Sequence, residues 1–307
     1  MGNTAVTLNL KQLETFLWVA TLGSFRKAAK RLYTTQPAIS ARISNLEDAL
    51  GARLFVRGTG SIQLTAKGLE LLPHAEKVLR MAENLTTRLG DGSRLSGVLR
   101  LGVSETIVHT WLPTFLAQLH DRHPSIDVEI TVDITVNLRS ELIARSLDLA
   151  LLMGPVSEFN MVNLDLSRAP LIWAASPQLG IEPARRHSLD ELIRFPLLTY
   201  ARNTRPYMEL ASHIRENCDE PARIFPSSSL AACLRMTIDG IGIGTLPKRL
   251  IGQDLENGDL IEVSCGWKPS DLQFTASYAS APFNPIAEKA AILAQEIAPQ
   301  RNDREGK

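Results

Sequence analysis

Between residues 10 and 51 the chain is punctuated so closely that few folds remain open to it. Leu10, Leu13, Phe16, Leu17 and Ala20 recur at helical spacing and stop at Gly23, a residue that ends a helix in the left-handed conformation without steric cost. Ser24 stands where an N-cap belongs, ahead of an apolar face made by Phe25, Ala28, Ala29 and Leu32. Tyr33-Thr34 breaks the pattern. Thr35 is the next cap, with Gln36 and Pro37 in the first turn, where proline loses no hydrogen bond. Ile39, Ile43, Leu46 and Leu50 then form a buried stripe that runs to Gly51. Two short helices so joined, the second capped and polar at its start, predict a helix-turn-helix. The Ala28-Ala29 pair permits the close helix contact such a motif needs.

Downstream, Arg53–Arg57, a Gly58-Thr59-Gly60 turn and Ser61–Leu64 predict a small β-hairpin, a wing. From Thr65 the helical pattern runs to Leu89, interrupted only by Pro73. Leu72, Ala75, Leu79, Ala82, Thr86 and Leu89 are spaced by three and four, as in a coiled coil, and call for a partner helix to cover them. Gly90-Asp91-Gly92-Ser93 reads as a hinge.

Beyond Gly97 strands and helices alternate, which predicts α/β sheets. Strands are expected at Val98–Val103, Asp127–Val132 and Leu147–Leu152, with helices at Trp111–His120 and Asn137–Arg145. A long polar connection then leads to Leu171–Ala175 and a second set of units, through Pro196–Tyr200, Met208–Asn217, Ile224-Phe225, Leu230–Asp239 and Ile241–Leu246. Leu272–Tyr278 and the helix Asn284–Ala298 return to the first set. The expected organisation is a DNA-binding domain over 1–65, a linker helix over 66–90, a hinge over 91–96 and a two-lobed domain over 97–307. Lobe I takes about 97–168 and 271–300, and lobe II about 169–270.

Net charge is zero, but its distribution is not even. Residues 1–90 carry 12 Lys+Arg against 6 Asp+Glu, so a basic head precedes an acidic remainder, as suits a protein that touches phosphates at one end only. No apolar run approaches the roughly 18 residues needed to cross a bilayer. The N-terminus lacks the basic-then-apolar pattern of a secretory signal, so a cytoplasmic protein is expected. Cys218, Cys233 and Cys265 are too few and scattered for a disulfide framework, and His109, His120 and His123 lack companions for a metal set. Ordinary thiols are expected of the three cysteines, with a redox-sensing pair the minor alternative. Neither a nucleophile elbow nor a phosphate loop nor a dinucleotide fingerprint is present; Gly240-Ile241-Gly242-Ile243-Gly244 precedes a strand and lacks the helix that such a loop requires. An enzyme and a cofactor are therefore not expected.

Residues 10–70 closely resemble the LysR-type transcriptional regulators. The resemblance is carried by Leu13, Phe16, Gly23-Ser24-Phe25, Ala28-Ala29, Leu32, Gln36-Pro37-Ala38-Ile39-Ser40, Leu46-Glu47, Leu50-Gly51, Leu54-Phe55, Arg57, Leu64-Thr65 and Gly68. A looser similarity continues through Leu101-Gly102, Leu112-Pro113, Leu147–Ala150, Gly240–Gly244 and Leu246-Pro247. It implies an all-α winged helix-turn-helix domain, a long linker helix and a two-lobed α/β domain like periplasmic binding proteins. The function it implies is sequence-specific transcriptional regulation modulated by a small molecule bound between the lobes. The implied partners are promoter DNA, RNA polymerase and other copies of the chain in a dimer of dimers, with no membrane. Ala41 departs from the arginine that many members carry after the recognition serine, and the wing tip lacks their usual arginines. Arg145 stands where glycine is common and is expected to be a neutral surface change.

Given the resemblance, Gln36, Ser40 and Arg42 are expected to face base edges in the major groove, with Pro37 in the same turn. Thr34 and Thr35 cap that helix and reach phosphate, and Arg26, Lys27, Arg53 and Arg57 are candidate phosphate contacts; an ion pair is the equal alternative for Arg57. The expected effector site joins Ser104, Thr106 and Thr135 to Asn203, Thr204, Ser228 and Ser229, of which Thr106 and Thr135 match effector-binding positions of relatives. Serines and threonines at helix starts are equally ordinary caps. Hydroxyls beside free helix N–H groups suggest a small organic acid, which Arg202 and Arg205 could pair, and Glu105 is then expected to point away. Two other readings share parts of this pattern: a solute-binding protein, and a DNA-binding architectural protein whose second domain only assembles.

Overall fold

The computed structural model describes residues 8–57, 62–89 and 95–299. They form two compact units divided between Leu95 and Ser96, with Ala279–Pro285 grouped with the first.

The first unit holds helices α1 (Leu10–Leu22), α2 (Phe25–Arg31) and α3 (Gln36–Leu50). A hairpin of β1 (Phe55–Arg57) and β2 (Ile62–Leu64) follows, and then α4 (Ala66–Leu89). The expected punctuation is realised atom by atom. Ser24 accepts a hydrogen bond from the Lys27 N–H, Thr35 accepts one from Ala38, and Gly23 and Gly51 take φ values of 58° and 63°. Phe16, Ala28, Ile39, Leu46 and Leu54 are fully enclosed, and the Phe16 ring lies 5.4 Å from that of Phe55. Gly68 is required by a close approach: a Cβ there would stand 2.3 Å from the Leu54 carbonyl oxygen. Gly68→Ala is expected to cost about 1–3 kcal/mol, read by chemical denaturation, because the obstacle is backbone and cannot rotate away.

The stripe predicted on α4 is largely covered by its own unit. Leu72, Ala75 and Leu79 pack on the core of α1–α3. Among the described side chains of α4, the large apolar ones left exposed are Leu69, Val78 and Met81, which lie off the predicted stripe. Tertiary docking used the better-matched stripe first. The side chains of Thr86 and Leu89, and residues 90–94 of the expected hinge, lie outside the described residues.

The second unit contains two five-stranded sheets. Lobe I has the order β4-β3-β5-β12-β6, from β3 (Gly97–Val103), β4 (Ile126–Val132), β5 (Leu149–Met153), β6 (Met161–Ala169) and β12 (Leu272–Ala279). Its helices are α5 (Glu105–Val108), α6 (Leu112–Arg122), α7 (Thr135–Ile143) and the closing α12 (Pro285–Ile297). Lobe II has the order β11-β7-β10-β8-β9, from β7 (Leu171–Ala175), β8 (Leu197–Tyr200), β9 (Ile224–Ser227), β10 (Ile243–Pro247) and β11 (Ile261–Val263). Helices α8 (Leu189–Leu192), α9 (Arg205–Asn217), α10 (Leu230–Ile238) and α11 (Gly252–Asn257) accompany it. β3 runs parallel to both β4 and β5, which leaves the helix starts that follow β3 and β4 on one side of lobe I.

Two expectations fail here. The connection before Leu171 is not irregular: it contains the nine-residue β6, which hangs on the edge of the lobe I sheet beside β12. Its polar residues concealed it, and one of them is structural, since Asn163 bonds both polar groups of the Val156 backbone and accepts from Ser277. Arg145 is not a neutral surface residue. It adopts φ 59° and is half-buried, and that burial lowers the pKa of its guanidinium. The left-handed conformation explains why glycine suits this position.

Candidate nucleic-acid interface and ligand cleft

On α3 the buried stripe of Ile39, Ile43 and Leu46 leaves the opposite side to polar residues. Gln36 and Pro37 are exposed and Ser40 is half-buried, so the first turn presents the residues expected to read bases. Ser44, exposed and one turn beyond Ser40, continues that stripe and was missed; its i+4 spacing from Ser40 was the available signal. Thr35 is exposed but its hydroxyl is engaged as the cap, while the Thr34 N–H donates to Ala29. Arg26 and Lys27 are exposed on α2.

Arg42 does not join them. It is half-buried and turned toward α1, with Nη1 3.5 Å from the Thr15 hydroxyl. Glu14, exposed on α1, lies in the same place: partial desolvation raises the pKa of its carboxyl, and Arg42 and Lys11 oppose the rise. Two residues along a helix rotate the side chain about 200°, which carries Arg42 away from Ser40. Arg53 pairs with Glu47 at 2.8 Å yet stays largely exposed, so it keeps donors for a phosphate. The Arg57 side chain and the wing tip at 58–61 lie outside the described residues.

In the second unit a cleft opens between the lobes. Ser104 and Thr106 reach it from the end of β3 and the start of α5, Thr135 from the start of α7, and Thr204 and Ser228 from lobe II. Its volume is about 40 Å³, room for about three waters or a small organic molecule. Two expected residues are elsewhere. Asn203 is exposed on the turn before α9 and does not line the cleft, because the turn is closed by the Thr204 hydroxyl donating to the Ala201 carbonyl. Ser229 does not line it either; its oxygen caps α10 by accepting from the Ala232 N–H.

Four lining residues were missed or misjudged. Tyr200 stands with its hydroxyl 3.5 Å from Thr106 Oγ1, and burial pushes its phenol pKa upward. Cys233 donates to the Thr199 carbonyl, and burial pushes its thiol up to about 11. Cys218, behind lobe II, is likewise pushed up to about 11, by burial first and then by Asp190. Both are held as thiols, whereas a redox-reactive cysteine needs its thiolate. Asp133 lines the cleft with one oxygen committed to the Ile134 N–H and the Asn137 amide. Glu105, expected to point away, crosses to lobe II. Its carboxylate accepts from the Ser229 hydroxyl at 3.2 Å, the Leu230 N–H and the Ala231 N–H at 3.1 Å, and so occupies the N-terminus of α10.

The two arginines proposed for an acidic ligand are engaged away from the cleft. Arg202 sits over the Tyr207 ring, and Arg205 bonds the Asp271 carbonyl and pairs with Glu209. Among the described residues no group of His, Cys, Asp or Glu is placed to hold a metal, and no helix is long and apolar enough to cross a membrane.

Residues 92–292 match the family model of the LysR substrate binding domain, and residues 10–69 match that of the bacterial regulatory helix-turn-helix protein, lysR family. The chain belongs to the LysR family. It is a LysR-type transcriptional regulator, with a DNA-binding helix-turn-helix and an effector-binding domain, and members of this family bind promoter DNA and small-molecule effectors. It is 29% identical over 298 residues to the HTH-type transcriptional regulator CfxR of Cupriavidus necator, covering 95% of this chain and 92% of that one. It is 27% identical to the regulator GltR of Bacillus subtilis, with 82% and 83% covered. Among solved structures, a full-length OxyR variant from Pseudomonas aeruginosa superimposes with a TM-score of 0.61 at 23% identity, over 95% of each chain. LysG of Corynebacterium glutamicum, solved with arginine bound as effector, gives 0.59 at 20% identity, over 94% of this chain and 98% of that one. At these identities the structures establish the fold of the LysR-type chain and nothing of its ligand.

Proposed function

We propose that this regulator reads its promoter with Gln36, Ser40 and Ser44 of α3, docks on phosphates through Arg26, Lys27 and Arg53, and senses an effector in the cleft lined by Ser104, Thr106 and Thr135. The observation that carries the first part is the exposed polar stripe on a capped helix whose opposite side is locked in the core. LysG, with its bound effector, supports the second part by analogy of fold. The unit acts as a sensor, without catalysis of its own, in a cytoplasmic dimer of dimers that contacts RNA polymerase. Leu69, Val78 and Met81 supply the apolar face for pairing. A ligand changes the DNA-bound arrangement only through a difference in its affinity for two conformations.

The test is binding of the purified chain to the promoter region beside its own gene over a series of salt concentrations. Tight binding that weakens steeply with salt is expected. Gln36→Ala is expected to lose about tenfold or more in specific affinity, with little change in binding to unrelated DNA. An equal loss on both DNAs would remove Gln36 from base reading, and no preference in the wild type would remove the reading as a whole.

A further inference from the structure

The cleft is lined by two carboxylates, one of which, Glu105, also faces His109 Nε2 at 3.4 Å. Glu105 and Asp133 both face it, and none of the described lining residues is lysine, arginine or histidine. Glu105 fills the N-terminus of α10, and Asp133 bonds the Ile134 N–H that precedes α7; Ser104 and Ile134, the N-caps of α5 and α7, make no side-chain cap hydrogen bond. What remains open beside them is a hydroxyl and a carboxylate oxygen. The Ser104 hydroxyl is buried and finds no hydrogen-bond partner among the described residues. The second oxygen of Asp133 accepts no hydrogen bond among them, since both of its donors go to the first. Beside these acceptors lie Ile134, Met153, Leu272 and Phe274, an apolar wall.

We propose that the effector of this cleft carries a primary ammonium group on a short apolar body, and that a carboxylate is the weaker ligand. The inference rests on the reading of the cleft as the effector site. The ammonium donates to Asp133 and to Ser104 while its alkyl part lies against Ile134 and Phe274. A carboxylate in the same place meets the unpaired oxygen of Asp133. The cost of that mismatch is largest where water is scarce. Glu105 is thus an internal occupant of the anion site: it joins the lobes and reserves the remaining space for a cation. This replaces the organic acid suggested by the hydroxyls alone.

Three probes of one size separate charge from shape: butylammonium, butan-1-ol and butanoate, each titrated into the full chain at constant ionic strength and read by thermal shift and calorimetry. Butylammonium is expected to bind on the order of tenfold tighter than butanoate. Asp133→Asn, which keeps the acceptor for the Ile134 N–H, is expected to erase that preference. Ser228→Trp, at an exposed position on the cleft mouth, is expected to block all three. Butanoate binding as tightly as butylammonium, and blocked by Ser228→Trp, would overturn the charge assignment and leave the cleft as the effector site. Binding of none of the three, or ammonium binding indifferent to both variants, would overturn the reading of the cleft together with the inference drawn from it.

Discussion

Glu47→Ala is expected to destabilise the DNA-binding unit by about 3 kcal/mol, since it strands two buried backbone donors at once. Glu47 is a buried carboxylate on α3. It accepts from the Leu54 N–H at 2.8 Å, from the Phe55 N–H at 3.4 Å and from Arg53 at 2.8 Å, and so ties the wing strand to the recognition helix. Leu54 and Phe55 are themselves buried, so water cannot replace the lost acceptor. The Arg53 contribution is small because that side chain is largely exposed. Glu47→Gln keeps one acceptor and is expected to cost about 1 kcal/mol. Burial is the largest single influence on this carboxyl and raises its pKa, but the N–H groups of Leu54 and Phe55 together with Arg53 outweigh it and leave the pKa lowered. The charged form is therefore bound more tightly in the folded state. Its stabilisation is complete above the ordinary glutamate pKa of the unfolded chain and is lost as pH falls through the lowered folded value. Denaturation at stepped pH should show the wild type losing its advantage over Glu47→Gln in acid. A constant advantage would mean that Glu47 is not the ionised tie described, and a loss below about 1 kcal/mol in Glu47→Ala would mean that the wing finds another acceptor.

Asp148→Ala is expected to cost the effector-binding unit about 3–5 kcal/mol, as removal of one partner from a buried pair does. Asp148 stands just before β5, and its carboxylate accepts from the Arg100 N–H at 2.9 Å while facing the Arg100 guanidinium at 3.8 Å. The Asp148 N–H returns a hydrogen bond to the Arg100 carbonyl. Alanine removes the buried carboxylate from beside a mostly buried guanidinium; Glu129, 3.3 Å from Arg100 Nε, is itself well exposed and a weak counter-charge. Asp148→Asn keeps the acceptor for the Arg100 N–H and is expected to fall between wild type and alanine. The consequence reaches the cleft, because β3 delivers Ser104 and Thr106 to it and β5 delivers Met153. Hydrogen exchange should quicken in the peptides of β3 and β5 and leave those of α1–α3 unchanged. Uniform quickening through both units, or none in β3, would contradict the assignment.

Much of the DNA-binding unit was legible because its signals are local. Gly23 and Gly51 stop helices through their own backbone freedom, and Ser24 and Thr35 cap them with oxygens three residues from the N–H groups they serve. Gln36 as exposed and Ser40 as facing away from the core were legible for the same reason, being one turn apart and opposite Ile39 and Ile43. The cleft was half legible. The ends of β3 and β4 pointed to Ser104, Thr106 and Thr135, since strand and helix alternation orders those loops along one sheet. Its charge was not legible, for that depends on which side chains cross from one lobe to the other.

The residues alone thus determined the helix-turn-helix and the two α/β lobes, through spacings of a few residues that sterics and hydrogen bonding translate directly into turns, while the family was legible only as a resemblance carried by residues 10–70. Tertiary structure decided what depends on distant partners. Glu105 finds Ser229 at a separation of 124 positions, and Arg42 finds Thr15 at 27. The polar β6 becomes a strand because the edge of a sheet stands ready beside it. Leu72, Ala75 and Leu79 of the α4 stripe are spent on their own core because an intramolecular surface is always within reach, whereas a partner helix must be recruited from solution.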